Sequence, residues 1–446
     1  MPSARAKCGS LLRILGVVFG IAAVVGGMIG QGVLRTPGII AGAAHSPGLI
    51  MLLWICGAAL VAVSAFAYVE LGTAIPCAGG PYDFVRRAFG DLPGVIAGWA
   101  GWLICISAQA FMSTVVAEFV HRLGIWPDVA TPILAVAVLA LFWAVNWAGT
   151  RISADSQIFF SAAKGIGLIA LVIVLFALPS SPVPAPPPQP VSGAVGIAGL
   201  AIAMRAIINT YAGWEDTVYH CEELKNPERT LPRSMATGII SVAILYLVVN
   251  LALLHVLPPA AMAASNLPAA DAARSVLGPK GDVALTCFGI LSVAAITNLY
   301  VMRSARVSFA MARQGHLPAR LSCVAPSGTP RAALAASVLL AALFAGTGTY
   351  ETIVATNVAL SVSLLVVVNL AVMALRHYEP DLPRPFRMPF YPIPAIWAVG
   401  INLTMLAALI FEDPVHSLAG LAILALVGVV YWAIGATRQR HLWRAV

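Results

Sequence analysis

The chain has 446 residues, 60% of them hydrophobic and only 10% charged, whereas a soluble domain carries about 25% charged residues. This composition excludes a soluble enzyme or binding module and requires a polytopic membrane protein. The formal net charge of +8 would suit an acidic partner such as nucleic acid if the charges formed a patch, but their spacing between apolar runs makes them topological instead.

In chain order, twelve apolar runs appear: 14–43, 48–74, 94–120, 131–149, 156–178, 193–220, 235–257, 282–310, 332–348, 352–375, 391–411 and 417–436. Each is near or above the ~20 residues a helix needs to cross a bilayer. The expected fold class is therefore an all-α membrane protein with 12 transmembrane helices. With the N-terminus inside, 21 of the 26 Lys and Arg residues fall on the cytoplasmic side, against Arg122, Arg274 and Lys280 in outer loops. This positive-inside asymmetry puts both termini in the cytoplasm. No A-x-A cleavage pattern follows the first run, so that span is read as retained.

The first run contains GGMIGQGVLRTPG (26–38). Each glycine in a helix costs roughly 1 kcal/mol relative to alanine, and unwound backbone in a membrane needs partners other than water. Single pairs such as Gly26/Gly30 also fit close helix packing, but four glycines within seven residues favour a functional break. Lys164 follows in AAKGIGL, deep in the fifth run. It either snorkels to the interface or stays buried, where the cost of its charge lets it exchange a proton.

The Pro-rich segment 179–192 (PSSPVPAPPPQPVS) cannot be helical and divides two blocks of five runs, 14–178 and 193–375. The second block, like the first, opens on an interrupted run, at Tyr211–Trp214 (YAGW). Interruptions at matching places in two halves mark an inverted-repeat transporter with its site at mid-membrane. The expected layout is a 5+5 inverted repeat with broken helices 1 and 6, plus two C-terminal helices at 391–436, all in one transmembrane domain spanning 1–446. Glu215 and Asp216 follow the second break, where acids stabilise a helix N-terminus. Arg35 and Arg205 lie in the outer halves of the two broken helices and are expected to pair with acids, Glu118 among them. Glu222, Glu223, Lys225 and Arg229 read as a cytoplasmic charge network that Arg86 or Arg87 could latch. Seven scattered cysteines form no C-x-x-C, and the histidines have no metal-binding spacing, so neither metal, cofactor nor disulfide framework is expected.

Several stretches together resemble the amino acid–polyamine–organocation superfamily. VVGGMIGQGVLRTPG (24–38) is similar to its first-span motif, AGGPYDFVRRAFG (78–90) to its second signature, and TYAGWEDTVYHCEELKNPERTLPRSM (210–235) to its sixth span and following loop. RVSFAMARQGHLP (306–318), GTPRAAL (328–334) and YEPDLPRPFRMPFYPIP (378–394) resemble later cytoplasmic stretches in the expected order. The resemblance implies a leucine-transporter-like fold with alternating access to a central amino acid site, and the short termini and compact loops lead to the expectation of the cytoplasmic (inner) membrane.

A zwitterion needs an anion-binding patch close to a cation-binding one. Free amides at the start of a half-helix suit the carboxylate, which assigns it to Gln31 and Gly32, with Gly30 permitting close approach. The resemblance implies that carbonyls of Met28, Asn209, Thr210 and Ala212 take the α-ammonium, within a break that includes Tyr211 and Gly213. It also implies that Lys164 replaces a sodium ion between spans one, five and eight, with Ser292 as partner. Glu215 would lie near the ligand side chain, selecting a cation or carrying a proton. Two positions depart from the family: Gln31 stands where a small Ser is usual, and Asn209 where relatives often carry an aromatic gate.

The leading expectation is a secondary transporter of an amino acid or related amine, with protons as coupling partner through Lys164 and obligate exchange as the alternative. A channel would need a filter such as TVGYG or a charged ring, which is not in the sequence. A membrane enzyme would need a catalytic pair, and no G-x-S-x-G occurs. A sensor role, or an accessory partner subunit, is compatible with the sequence.

Overall fold

The structure is a computed structural model that describes residues 10–179, 196–347 and 350–443. Residues 180–192 of the Pro-rich segment, and the terminal cations Arg5, Lys7 and Arg444, lie outside the described residues. The described chain is helical, with an isolated parallel bridge between Leu15 and Leu224.

The first apolar run forms two helices, α1 (Val17–Met28) and α2 (Gly32–Ala44), bent by 48° at the break between them. Ile29 is extended (φ −73°, ψ 97°), and Gln31 caps α2. Then come α3 (Pro47–Ala74), the short α4 (Pro81–Phe89), α5 (Asp91–Arg122), α6 (Thr131–Ala148) and α7 (Thr150–Ala177). The second interrupted run forms α8 (Ile197–Thr210) and, after Gly213 at φ +98°, a 3₁₀ segment over Trp214–Glu223. Beyond it lie α9 (Pro227–Val256), two short connecting helices α10 (Pro259–Ala264) and α11 (Pro268–Leu277), and α12 (Pro279–Arg313). The chain ends with α13 (Arg331–Thr347), α14 (Tyr350–Tyr378), α15 (Ile393–Glu412) and α16 (Pro414–Trp443).

Among the described residues, nine helices are long and apolar enough to cross a membrane, and the bent α1–α2 pair together makes a tenth. The protein is thus a multi-pass membrane protein. α5 and α12 pack against each other at its centre: 67% of the apolar window of each is buried, against 11% for α16 at the periphery. The charge pattern of α4 explains why it forms outside the apolar runs. Pro81 starts it, Asp83 sits in its first turn and Arg86 and Arg87 in its last, each at the pole of the helix dipole that favours it.

Cys323 is disulfide-bonded, contrary to the expectation from spacing. A search for short Cys-x-x-Cys spacings does not see cysteines that meet only through the tertiary fold. Cys56, Cys77, Cys105, Cys221 and Cys287 are free.

Candidate functional site

The two interruptions meet backbone to backbone. A Cβ on Gly27 would lie 2.2 Å from the carbonyl oxygen of Gly213, and one on Gly213 would lie 2.6 Å from the carbonyl of Gly27. Neither position has room for a side chain, and the left-handed φ of Gly213 independently favours glycine. Below this contact α1 and the 3₁₀ segment run together. Thr217 Oγ1 donates to the Gly20 carbonyl at 3.0 Å. Leu15 N–H donates to Glu223 O at 3.0 Å, and Lys225 N–H to Leu15 O at 2.8 Å. Beyond the contact α2 packs on α8, where the hydroxyls of Thr36 and Thr210 are 2.6 Å apart. Each half of one broken helix is thereby tied to the corresponding half of the other.

The structure brings most of the sequence-predicted binding residues to this junction. Gln31 and Gly32 stand at the start of α2, where the first amides have no intrahelical acceptor. Gln31, Asn209 and Ala212 are exposed, and Gly30, Gly32 and Glu215 are partly so. Met28, Thr210, Tyr211 and Gly213 are buried. Three of the carbonyls assigned to an ammonium already have a donor: the Ala212 N–H reaches Asn209 O at 3.3 Å, and Tyr246 Oη on α9 donates to Met28 O at 2.7 Å and reaches Thr210 O at 3.3 Å. Sequence inspection missed Tyr246. The signal that could have found it is a lone phenol in the apolar stretch 242–249 of α9, since a buried Tyr hydroxyl usually needs a partner. Its ring packs with Tyr211 and Trp54 at centroid distances of 5.0 and 5.5 Å, forming an aromatic backing behind the second break.

Lys164 is fully buried on α7 rather than snorkelling. Its Nζ donates to the carbonyls of Gly26 and, at 2.6 Å, of Ile29. Ser292 Oγ on α12 donates to the same Ile29 oxygen at 3.0 Å. Lys164 and Ser292 therefore converge on the carbonyls freed where α1 ends. Beneath them a buried polar cluster links four helices: Asn146 to Asn298 at 2.9 Å, Asn298 to Gln157 at 2.9 Å, and Ser161 to Ala22 O at 2.7 Å.

The acids after the second break differ in role. Arg303 on α12 donates to Asp216 Oδ1 at 2.7 Å and to Tyr219 Oη at 2.6 Å, and its guanidinium lies 3.9 Å from the Tyr219 ring centroid. Glu215 Oε1 is 3.6 Å from Arg303, too far for a hydrogen bond. Arg303, one of the 21 cations that the charge pattern counts on the cytoplasmic side, is 2% exposed and belongs to the junction.

The expected partners of four other groups change. Arg205 pairs with Glu412 on α15 rather than with Glu118. Glu222 is held by Arg313 in a two-bond fork of 2.7 and 2.8 Å and accepts from Ala78 N–H, whereas Arg86 pairs with Asp91 and Arg87 with Glu379. Glu223 is buried under Arg306, which reaches both its oxygens at 2.8 and 3.0 Å. Apart from the local Arg86–Asp91 pair, residues far apart in sequence make these pairs, so loop proximity could not order them. A groove of about 750 Å³ opens on the flank of α8, between Ile202, Arg205, Trp397 and Met405. It lies behind the second break, not at the junction, and is mostly apolar.

Residues 15–434 match the protein family described as "Amino acid permease". The chain is 29% identical to the large neutral amino acids transporter small subunit 2 of Rattus norvegicus, over 98% of this chain and 84% of that protein. It is 26% identical to the b(0,+)-type amino acid transporter 1 of Mus musculus, covering 96% and 89% of the two chains. Identity to the serine/threonine exchanger SteT of Bacillus subtilis (strain 168) is also 26%, covering 93% and 94%. With a family match spanning the interrupted helices, the Lys164 region and the later loops, the chain belongs to the amino acid permeases of the amino acid–polyamine–organocation superfamily, which are transporters and not enzymes.

Proposed function

We propose that this protein is a secondary active transporter that carries an amino acid or related amine across the cytoplasmic membrane by alternating access. The observation that carries this reading is the Gly27–Gly213 contact between two broken helices, with helix-start amides on one side and unwound carbonyls on the other. In this reading α1–α2 and α8 with its 3₁₀ continuation are spans one and six of a twelve-span, 5+5 inverted repeat. α15 and α16 stand outside the repeat, and both termini are cytoplasmic. The amides of Gln31 and Gly32 receive the carboxylate, with Gly30 clearing the approach. The carbonyl of Ala212, and the second lone pairs of Met28, Asn209 and Thr210, receive the ammonium. Tyr211 and Gly213 shape the break, and Glu215 faces the substrate side chain.

Coupling runs through Lys164, whose two hydrogen bonds to the end of α1 make its proton sensitive to the state of the break. Exchange is the second reading, favoured by the similarity to a protein named as an exchanger. An accessory chain fits the same scheme, since one relative is named as a small subunit.

Purified protein in liposomes preloaded with unlabelled amino acid tests the function. Saturable uptake of labelled amino acid is expected, stimulated by the internal pool. Linear, non-saturable flux would refute a carrier. Lys164→Ala is expected to flatten the pH dependence of uptake, and an unaltered profile would make the lysine purely structural.

A further inference from the structure

At the junction a buried carboxylate oxygen has no donor among the described residues. Asp216 is fully buried. Its Oδ1 accepts from Arg303 at 2.7 Å, but its Oδ2 has no partner among the described residues. Oδ2 is pressed into the contact of the two breaks: a Cβ on Gly27 would meet Asp216 Oδ2 at 2.7 Å and the Gly213 carbonyl oxygen at 2.2 Å. Two acceptor oxygens thus crowd one face of Gly27, and Oδ2 has no donor among the described residues. A buried unpaired carboxylate oxygen is costly, and a proton on Oδ2 turns it into the missing donor.

The surrounding charges agree. One guanidinium, Arg303, serves two carboxylates, Asp216 at 2.7 Å and Glu215 at 3.6 Å. Like charges that share one counter-ion in a dry site do not both ionise readily. Arg303 Nε, which also lacks an acceptor, is backed by the Tyr219 ring. The other cation nearby, Lys164, makes two hydrogen bonds and no third among the described residues. A neutral amine has two N–H donors and an ammonium three. The two carbonyls therefore match the uncharged lysine, and the orphan oxygen matches a protonated aspartic acid. The remaining titratable groups facing the cluster are Tyr68 on α3, Cys105 on α5, Tyr219 in the 3₁₀ segment and Tyr300 on α12, none of them a second base at Oδ2.

We infer that Asp216 is a proton-binding site, holding its proton on Oδ2 opposite an uncharged Lys164, with Gly26 and Gly27 between them. The exchange is balanced: Asp216 carboxyl plus Lys164 amine becomes Asp216 carboxylate plus Lys164 ammonium, with no net change in buried charge. Separating the breaks at Gly27 and Gly213 removes the crowding that favours the protonated acid. The protonation stands on the geometry, and only its link to substrate rests on the transporter reading.

Infrared spectroscopy of the purified full-length protein, in H₂O and D₂O at neutral pH, tests this. The carbonyl stretch of a protonated carboxyl, shifted in D₂O, is expected in the wild type, lost in Asp216→Asn and kept in Glu215→Gln. Subtracting variant from wild type cancels other buried acids such as Asp83. Identical bands in wild type and Asp216→Asn would overturn the proposal. Asparagine preserves the acceptor for Arg303, so folding should survive. Should it not, Lys164→Gln decides: an uncharged lysine leaves the band unchanged, whereas loss of a charged one would force a new protonated-carboxyl band and overturn the proposal. Adding serine or leucine then addresses the link. A band that moves with a bound amino acid supports coupling, and one that ignores it overturns the coupling. Failure of any amino acid to stabilise the protein would count against the transporter reading while leaving the Asp216 band intact.

Discussion

Gly30 and Gly32 stand two residues apart in the same motif, yet they tolerate change differently. A Cβ on Gly30 would meet only Ile296 Cδ1 at 3.5 Å, an ordinary contact, whereas one on Gly32 would lie 2.8 Å from Thr210 Oγ1. A large residue such as leucine at 32 therefore displaces α8 as well as covering the amides, and loss of binding there would have two causes. Gly30→Ala separates them. It is expected to leave the melting temperature unchanged while weakening amino acid binding about tenfold, roughly 1.4 kcal/mol, by isothermal titration or thermal shift. Wild-type affinity would remove the first break from the site. Tyr246→Phe removes the hydroxyl that ties Met28 to Thr210, at about 1 kcal/mol for the lost hydrogen bond. A lower melting point with the aromatic packing retained is the expected result. The glycines were legible in the sequence because their spacing is anomalous for a helix. Tyr246 was not, because its partners are main-chain atoms on other helices.

The interrupted helices show how local composition and packing divide the work among elements. The glycine-rich stretch at 26–32 and the YAGW sequence with Gly213 locate both breaks, and the breaks fall there. The sequence leads one to expect an α-helix after Tyr211–Trp214, but the chain forms a 3₁₀ segment instead. Its side chains are committed in several directions at once: Asp216 and Tyr219 to Arg303, Thr217 to Gly20, and Glu223 to Arg306. The loop before α15 is tied to α4 by Arg87, whose guanidinium reaches both oxygens of Glu379 at 2.6 to 3.2 Å. The arginine hydrogen bonds hold the Glu379 carboxyl below the usual carboxylate range. A carboxylate whose proton affinity is lowered on folding stabilises above its unfolded pKa of about 4.3, and that stabilisation is lost as pH falls through the folded value. Both side chains are more than a third exposed, so the tie is worth no more than about 1 kcal/mol. Glu379→Gln should therefore lower the melting temperature slightly at pH 7 and converge on the wild type in acid. A difference that persists in acid would mean that packing, not charge, holds the loop.

Across the protein, buried and exposed ion pairs alike join distant parts of the chain. Arg306 and Glu223 are each about fully buried and satisfy one another. Among the described residues, Arg306→Gln leaves Glu223 with His220 and Thr150 for side-chain partners, and breaking such a pair costs roughly 3–5 kcal/mol. The expected outcome is a large fall in melting temperature and in yield from the membrane, partly restored by Glu223→Gln in the same chain, since that removes the unpaired charge. No rescue would mean that the arginine acts through its shape. Membrane class, helical fold, the places of the two breaks and the family were all accessible from composition, apolar run length and motif order, because the bilayer imposes its constraints segment by segment. Which acid meets which arginine, how Tyr246 bridges the breaks and why Asp216 keeps an unpaired oxygen depended on the tertiary structure. Those contacts join residues 36 to more than 200 positions apart, and no local pattern encodes a pairing that exists only once the helices have packed.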